Sequence, residues 1–249
     1  TFEPGAGYWV LSTNDVSVSD TKPTVDIGNA NGDFETTIPL HDGWNIISNP
    51  LGRDVAWSAV NSANGGSLQA LWAFDGSYSQ VPTFASAKSG QAFYFLNNQD
   101  LSELVIPYPS TGGTSSSSKQ AESPALVLET FQDGEKTSVA KAGLRASAED
   151  GLDPHDQFAP PARFEAAALR FVVGEEAKAA GSGLRRQLLA HEYQAAPEDR
   201  ASAKGHAFDV RLTAKPDTPV KIKASGLDAF EGQAVVLLNP STGQSYDLR

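Results

Sequence analysis

Aromatic and aliphatic residues fall along this chain in short runs, each closed by Gly, Pro, Asn or Asp. Such runs read as short strands. Residues 7–11, 43–47, 67–74, 78–81, 93–96 and 104–106 fit this pattern, and Asp75-Gly76 marks a hairpin. Residues 54–60 predict one short helical turn. Further on, residues 125–131, 138–144, 165–173 and 184–193 read as strands, with a turn at Asp133-Gly134. In residues 207–212 Phe208, Val210 and Leu212 face one way, and Asp209, Arg211 and Thr213 the other. Val220-Lys221-Ile222-Lys223 repeats that alternation. Residues 234–238 read as an all-apolar buried strand before a turn at Asn239-Pro240-Ser241-Thr242-Gly243. Residues 164–180 are rich in Ala and Glu and carry helical propensity. Gly174 after Phe171-Val172-Val173 favours a strand there, and the helical alternative stays open.

A stretch of Gly, Ser and Thr alone, Ser110-Thr111-Gly112-Gly113-Thr114-Ser115-Ser116-Ser117-Ser118, separates two chemistries. All four Trp precede it. Up to residue 110 there are 11 acidic and 3 basic residues; beyond it there are 19 and 16. Within the first half, Gly5-Ala6-Gly7-Tyr8-Trp9-Val10-Leu11-Ser12 matches Gly90-Gln91-Ala92-Phe93-Tyr94-Phe95-Leu96-Asn97 at an offset of 85. The small residues beside the aromatics let backbones approach closely. In the second half, short strands with turn signals every ~8–12 residues suggest an antiparallel sandwich. The expected fold is all-β, with two antiparallel β domains. A duplicated Trp-rich β module (1–109) is followed by a flexible linker (110–122) and an Ig-like β-sandwich (123–249).

Composition narrows the function. The 249 residues include no Cys, so disulfides, thiol nucleophiles and thiolate metal sites are excluded. A net charge of -11 argues against nucleic acid as a partner. No apolar run approaches the ~20 residues of a membrane span. Residue 1 is Thr, and both ends lie close to strand-like runs, which suggests a trimmed precursor.

Gly43-Trp44-Asn45-Ile46-Ile47-Ser48-Asn49-Pro50-Leu51 resembles the "GWNLIGNPF" signature of large surface proteins exported by the type IX secretion pathway of bacteria. Gly5-Ala6-Gly7-Tyr8-Trp9, Gly90-Gln91-Ala92-Phe93-Tyr94 and Asp54-Val55-Ala56-Trp57-Ser58-Ala59-Val60 are similar to segments that accompany it. Ala148-Glu149-Asp150-Gly151-Leu152-Asp153-Pro154-His155-Asp156, then Ala159-Pro160-Pro161, is similar to the "ATDGYDxxxDxxxPP" loop of the same proteins. Gly226-Leu227, and Leu237-Leu238-Asn239-Pro240-Ser241-Thr242-Gly243 through Asp247-Leu248-Arg249, resemble their "LxDxxTGxxxDLR" ending. Asn239 stands where Asp is common. The resemblance implies the C-terminal region of an exported, non-catalytic surface protein, located outside the cell. It carries over no catalytic residue and no required cofactor.

Two candidate sites remain. Asp150, Asp153 and Asp156 place three carboxylates in seven residues, a density that suits Ca2+ or a plain inter-strand loop. Trp9, Trp44, Trp72 and Tyr78 could stack on sugars or fill the core. The four His show no metal spacing, and Ser110 to Ser118 lacks a nucleophile elbow. The leading expectation is a structural or interaction protein whose partners are its own copies, through edge strands, or other surface proteins. The alternative is a carbohydrate-binding module of a secreted enzyme, with a polysaccharide as partner.

Overall fold

The computed structural model describes residues 3–10, 12–17, 34–109, 125–149, 151–172, 188–196, 205–230 and 232–249. Two compact units divide the chain, one of Thr1–Phe74 and Ser79–Ser118, the other of Asp75–Tyr78 and Lys119–Arg249. The expected linker at 110–122 lies outside the described residues. Strands dominate, and nearly all their pairings are antiparallel, so the chain is all-β.

Residues 34–109 contain β1 (Glu35–Pro39), β2 (Gly43–Ile47), β3 (Val55–Ala56), α1 (Trp57–Ala63), β4 (Leu71–Phe74), β5 (Tyr78–Gln80), β6 (Thr83–Phe84), β7 (Phe93–Asn97) and β8 (Glu103–Pro107). A four-stranded sheet runs β2-β7-β4-β5, flanked by the pairs β1-β8 and β3-β6. β7 is central and buried at every position, which explains its unbroken Phe-Tyr-Phe-Leu run. Ile47, Leu71, Phe93 and Phe95 face a core completed by Trp57, Val60, Phe84, Ile38 and Ile106. Trp57 meets Phe95 edge-on at 5.4 Å, and Phe84 meets Phe93 likewise at 5.4 Å.

Asparagine amides hold the turns between these strands. Asn45 donates to the carbonyls of His41 (2.8 Å) and Gly43 (2.9 Å) and accepts the His41 N–H. Asn49 donates to Arg53 (2.9 Å) and Phe84 (2.8 Å) and accepts the Leu51 N–H. Asn97 does the same for Leu101 and His41, and Asn64 for Val60 and Val105. Each amide satisfies three backbone groups that a turn would otherwise leave without partners. Asn45 and Asn49 belong to the 43–51 motif, so that motif encodes loop closure.

The segment expected as a strand over 7–11 forms a single bridge, Ala6 to Ile47, on the free side of β2. Gly7 donates to Ile46 O (2.9 Å), and Ser48 donates to Gly5 O (2.9 Å). A Cβ on Gly7 would sit 2.4 Å from Ile46 Cγ2 and 2.9 Å from Ala92 Cβ, so only glycine allows this approach. The helix is displaced from the expected 54–60 to Trp57–Ala63, because Val55 and Ala56 pair with Phe84 and Thr83.

The second unit contains β9 (Leu126–Gln132), β10 (Glu135–Arg145), β11 (Gln157–Phe158), β12 (Ala167–Val172), β13 (Leu188–Ala195), β14 (Val210–Ala214), β15 (Lys221–Ser225), β16 (Val236–Asn239) and β17 (Gln244–Asp247). Its main sheet runs β14-β12-β13-β10-β9-β15, with β11 added to β13. Asp133 (φ 54°) and Gly134 (φ 88°) form the left-handed turn between β9 and β10. β10 is long enough to pair antiparallel with β9 and then parallel with β13 through residues 141–145. β12 crosses the face of β9 and β10, where the Leu169 N–H donates to Ser138 Oγ (3.0 Å), giving sandwich-like layers. Buried Arg170 is ion-paired with Glu165 and also donates to Leu169 O (2.9 Å). Burial raises the Glu165 carboxyl above its ordinary range, and Arg170 opposes that shift.

The preference for a strand after residue 164 holds, and two other expectations change. Residues 167–172 form a strand, preceded by a 3-10 turn at Ala162–Phe164; 173–180 lie outside the described residues. The strand expected over 207–212 begins at Val210, and Leu212 is 45% exposed because β14 is an edge. The strand expected to be buried over 234–238 is not: Val236 is 52% and Leu238 58% exposed. β16 pairs only with β17, and this two-stranded hairpin has no second layer among the described residues.

Candidate functional site

Three places on the molecule carry candidate chemistry: the loop after β10, the aromatic face of the first unit, and the β16-β17 hairpin. The loop holds two of the three expected metal carboxylates; Asp150 lies outside the described residues. Asp153 Oδ2 accepts the Glu149 N–H (2.8 Å), and its Oδ1 accepts the His155 N–H (2.6 Å). Asp156 is buried at 2% exposure. Its Oδ2 accepts the Asp153 N–H (3.0 Å), and its Oδ1 accepts the Tyr193 N–H (2.9 Å) from β13. These oxygens close the loop onto the sheet. Among the described residues no group of three or more His, Cys, Asp or Glu is placed to hold a metal. Desolvation raises the Asp156 carboxyl to about 6, against the downward pull of its two N–H donors.

His155 adds an arrangement with catalytic form. Its Nδ1 lies 2.7 Å from Arg145 Nη1, and its Nε2 lies 3.1 Å from Ser147 Oγ. The guanidinium can only donate, so Nδ1 accepts and Nε2 carries the proton toward Ser147. A serine nucleophile needs the opposite polarity: a histidine that accepts the hydroxyl proton and is backed by a carboxylate. Here a cation, itself over the Tyr193 ring at 4.9 Å, takes the carboxylate's place. Arg145, Ser147 and Tyr193 carry no motif signal in the sequence; the pairing of β10 with β13 brings Arg145 to Tyr193, and the loop returns His155 to Arg145 and Ser147.

The sheet of the first unit collects the aromatics on the face opposite its core. Ile46, Tyr94 and Trp72 form one cross-strand row, and Trp44 and Leu96 the next. Trp72 is 4% and Tyr78 3% exposed, so neither offers a stacking face. Trp9 is 38% exposed and lies over this face, with Nε1 donating to Tyr94 Oη (2.6 Å). Its ring meets Phe74 edge-on at 5.3 Å, and Trp44 meets Tyr94 edge-on at 6.3 Å. Sugar platforms need ring faces turned outward; these rings turn their edges into one another.

The hairpin exposes three large apolar side chains within two short strands: Val236, Leu238 and Tyr246. Val236 and Leu238 stand on one face with Asp247 and Ser245, their cross-strand partners. Leu237 and Tyr246 form a pair on the other face, and Tyr246 is 54% exposed. Arg249 clasps the hairpin's base, donating from Nε to Gln233 O (3.0 Å) and from Nη2 to Phe230 O. The all-apolar run marked these residues as interior, so the signal for a surface was absent from the pattern. No protein-family model, curated protein or solved structure matches the chain.

Proposed function

We propose that the chain is a non-catalytic segment of an exported bacterial surface protein. It acts outside the cell as a structural and interaction module that binds its own copies or other surface proteins. The observation that carries this reading is the β16-β17 hairpin, with apolar side chains exposed on both faces. A two-stranded hairpin is at best marginal in water alone, and apolar patches with open strand edges mark association surfaces. The reversed polarity at Ser147-His155-Arg145 supports the absence of catalysis. The loop carboxylates, occupied by backbone N–H groups, support a chain that needs no cofactor.

The test is Leu238→Asp compared with the parent chain. Association seen by cross-linking in the parent is lost in the variant, while circular dichroism and thermal unfolding stay unchanged. A parent chain that associates with nothing contradicts the reading. A second reading, a carbohydrate-binding module of a secreted enzyme, rests on the exposure of Tyr8 (46%) and Trp9 (38%).

A further inference from the structure

Two apolar features sit at opposite ends of the edge strand β15. At one end a groove of about 430 Å³ is lined by Phe131, Pro219 and Val220, with Lys221, Lys223 and Asp133. This is the end where Lys221 pairs with Phe131. At the other end Ser225 pairs with Val127, and Gly226 (φ 76°) brings the chain against Ala125 O. A Cβ there would meet that oxygen at 2.1 Å. The chain then turns through the 3-10 helix Leu227–Phe230 into the hairpin that Arg249 clasps. Four residues of strand separate the two ends, roughly 13 Å at 3.3 Å per residue. No residue of the hairpin lines the groove of its own copy.

The chemistry of the two features matches. The hairpin face carries Val236 and Leu238 beside one carboxylate, Asp247. Asp247 also accepts the Arg249 N–H at 3.0 Å. The groove offers apolar walls beside two lysines, Lys221 and Lys223. Two acidic charges stand near those lysines: Asp133 in the lining and Glu129, the cross-strand partner of Lys223. Lysines also protect an edge strand from indiscriminate pairing, so the groove selects for a partner that brings a negative charge.

We infer that the hairpin of one copy docks in the Phe131-Val220 groove of the next, with Asp247 set against Lys221 and Lys223. The contact is heterologous, because different surfaces meet, so it propagates head to tail instead of closing as a two-fold dimer. A hairpin in a groove is a small interface, which makes the association weak and concentration-dependent. This inference rests on the interaction reading above and gives it a partner: a second copy of this chain.

The absence of cysteine makes the test direct. Leu238→Cys and Val220→Cys are made separately, with Pro219→Cys as a second groove position in case Val220→Cys perturbs the strand. Under mild oxidation, the mixture of hairpin and groove variants forms a disulfide-linked pair, and neither variant alone does. The chain carrying both substitutions forms a ladder. Lys221→Glu with Lys223→Glu abolishes the cross-link, and Asp247→Lys in the partner chain restores it. Leu238→Cys linking to itself as readily as to the groove variant overturns the head-to-tail contact but leaves the interaction reading standing. No cross-link in any combination, together with a monomer at every concentration, overturns both.

Discussion

Trp9 Nε1 donates to the hydroxyl of Tyr94 at 2.6 Å, and these two residues occupy equivalent positions in the two copies of the segment repeated at an offset of 85. Gly7 and Ala92 are likewise equivalent, and a Cβ on Gly7 would stand 2.9 Å from Ala92 Cβ. The copies lie on either side of β2, one through the Ala6-Ile47 bridge and the other through β7. The repeat therefore produces two flanking segments that meet each other over one face. Its small residues set the closeness of that approach.

Gly7→Ala should detach the N-terminal segment from β2. The methyl group meets Ile46 Cγ2 at 2.4 Å, and the backbone bond from Gly7 to Ile46 O lies at that contact. The expected result is a red shift in tryptophan emission and faster proteolysis before residue 12, with the rest of the first unit folded. Tyr94→Phe should cost about 0.5–1.5 kcal/mol, the worth of one hydrogen bond, in urea unfolding.

Asn49→Ala removes three hydrogen bonds from a residue 1% exposed and leaves the Phe84 carbonyl buried. The expected loss is about 1–3 kcal/mol, from desolvated backbone groups without partners. Asn61→Ala, at a half-buried site, serves as the milder control: its amide meets Leu68 N and the exposed Gly66 O. Equal losses at the two sites would contradict the staple account.

These asparagines also show how far the sequence could be read. Short runs closed by Asn, Gly and Pro revealed most strands, because aromatic and β-branched residues favour a pleated, half-buried surface. The all-β class followed. The turn at Asp133-Gly134 was equally plain, since its positive φ values call for those residues. β1 went unremarked, although Thr36 and Ile38 alternate inward, because its apolar content is low. The 234–238 run misled because hydrophobicity reports a wish to be covered, whereas Val236 and Leu238 are more than half exposed. Of the candidate site, Asp153 and Asp156 were legible as a cluster. Their service to the Glu149, His155 and Tyr193 N–H groups depended on a strand distant in sequence.

Calcium should not stabilise the second unit. The described loop carboxylates already accept backbone N–H groups. Thermal unfolding in millimolar Ca2+ and in chelator should give the same midpoint, and a clear rise with Ca2+ would restore the metal reading. Asp156→Ala should cost about 1–3 kcal/mol by stranding the Tyr193 and Asp153 N–H groups.

Glu192 sets a pH dependence. Burial pushes its carboxyl from an ordinary 4.5 up to about 7; a hydrogen bond from Gln194 opposes the shift, and the charges of Asp156 and Asp209 add to it. A raised acid is protonated longer in the folded state, so its contribution is present at low pH and lost as pH rises from about 4.5 through about 7. Glu192→Gln should therefore gain stability over the parent as pH rises through that window, then level off. His191 works the other way: burial, with Lys141 and Arg170, lowers it to about 3, so its contribution falls as pH drops below 6.5. Urea unfolding of the parent and Glu192→Gln from pH 4 to 8 isolates the Glu192 slope, and what remains at the acid end carries that of His191.

Polysaccharides should leave the tryptophans unmoved. Trp72 is buried, and Trp9 and Trp44 pack edge-on against Phe74 and Tyr94. Titration with soluble glycans, followed by tryptophan emission, should give no saturable shift. A saturable shift that is lost in Trp9→Ala would favour the carbohydrate-binding reading.

The most direct measurement is mass by light scattering across a concentration series, for the parent chain and for Leu238→Asp. An exposed apolar hairpin that serves as an association surface predicts a mass rising steadily with concentration in the parent and fixed at 26.3 kDa in the variant. A parent chain that stays at 26.3 kDa up to millimolar concentration would contradict the account.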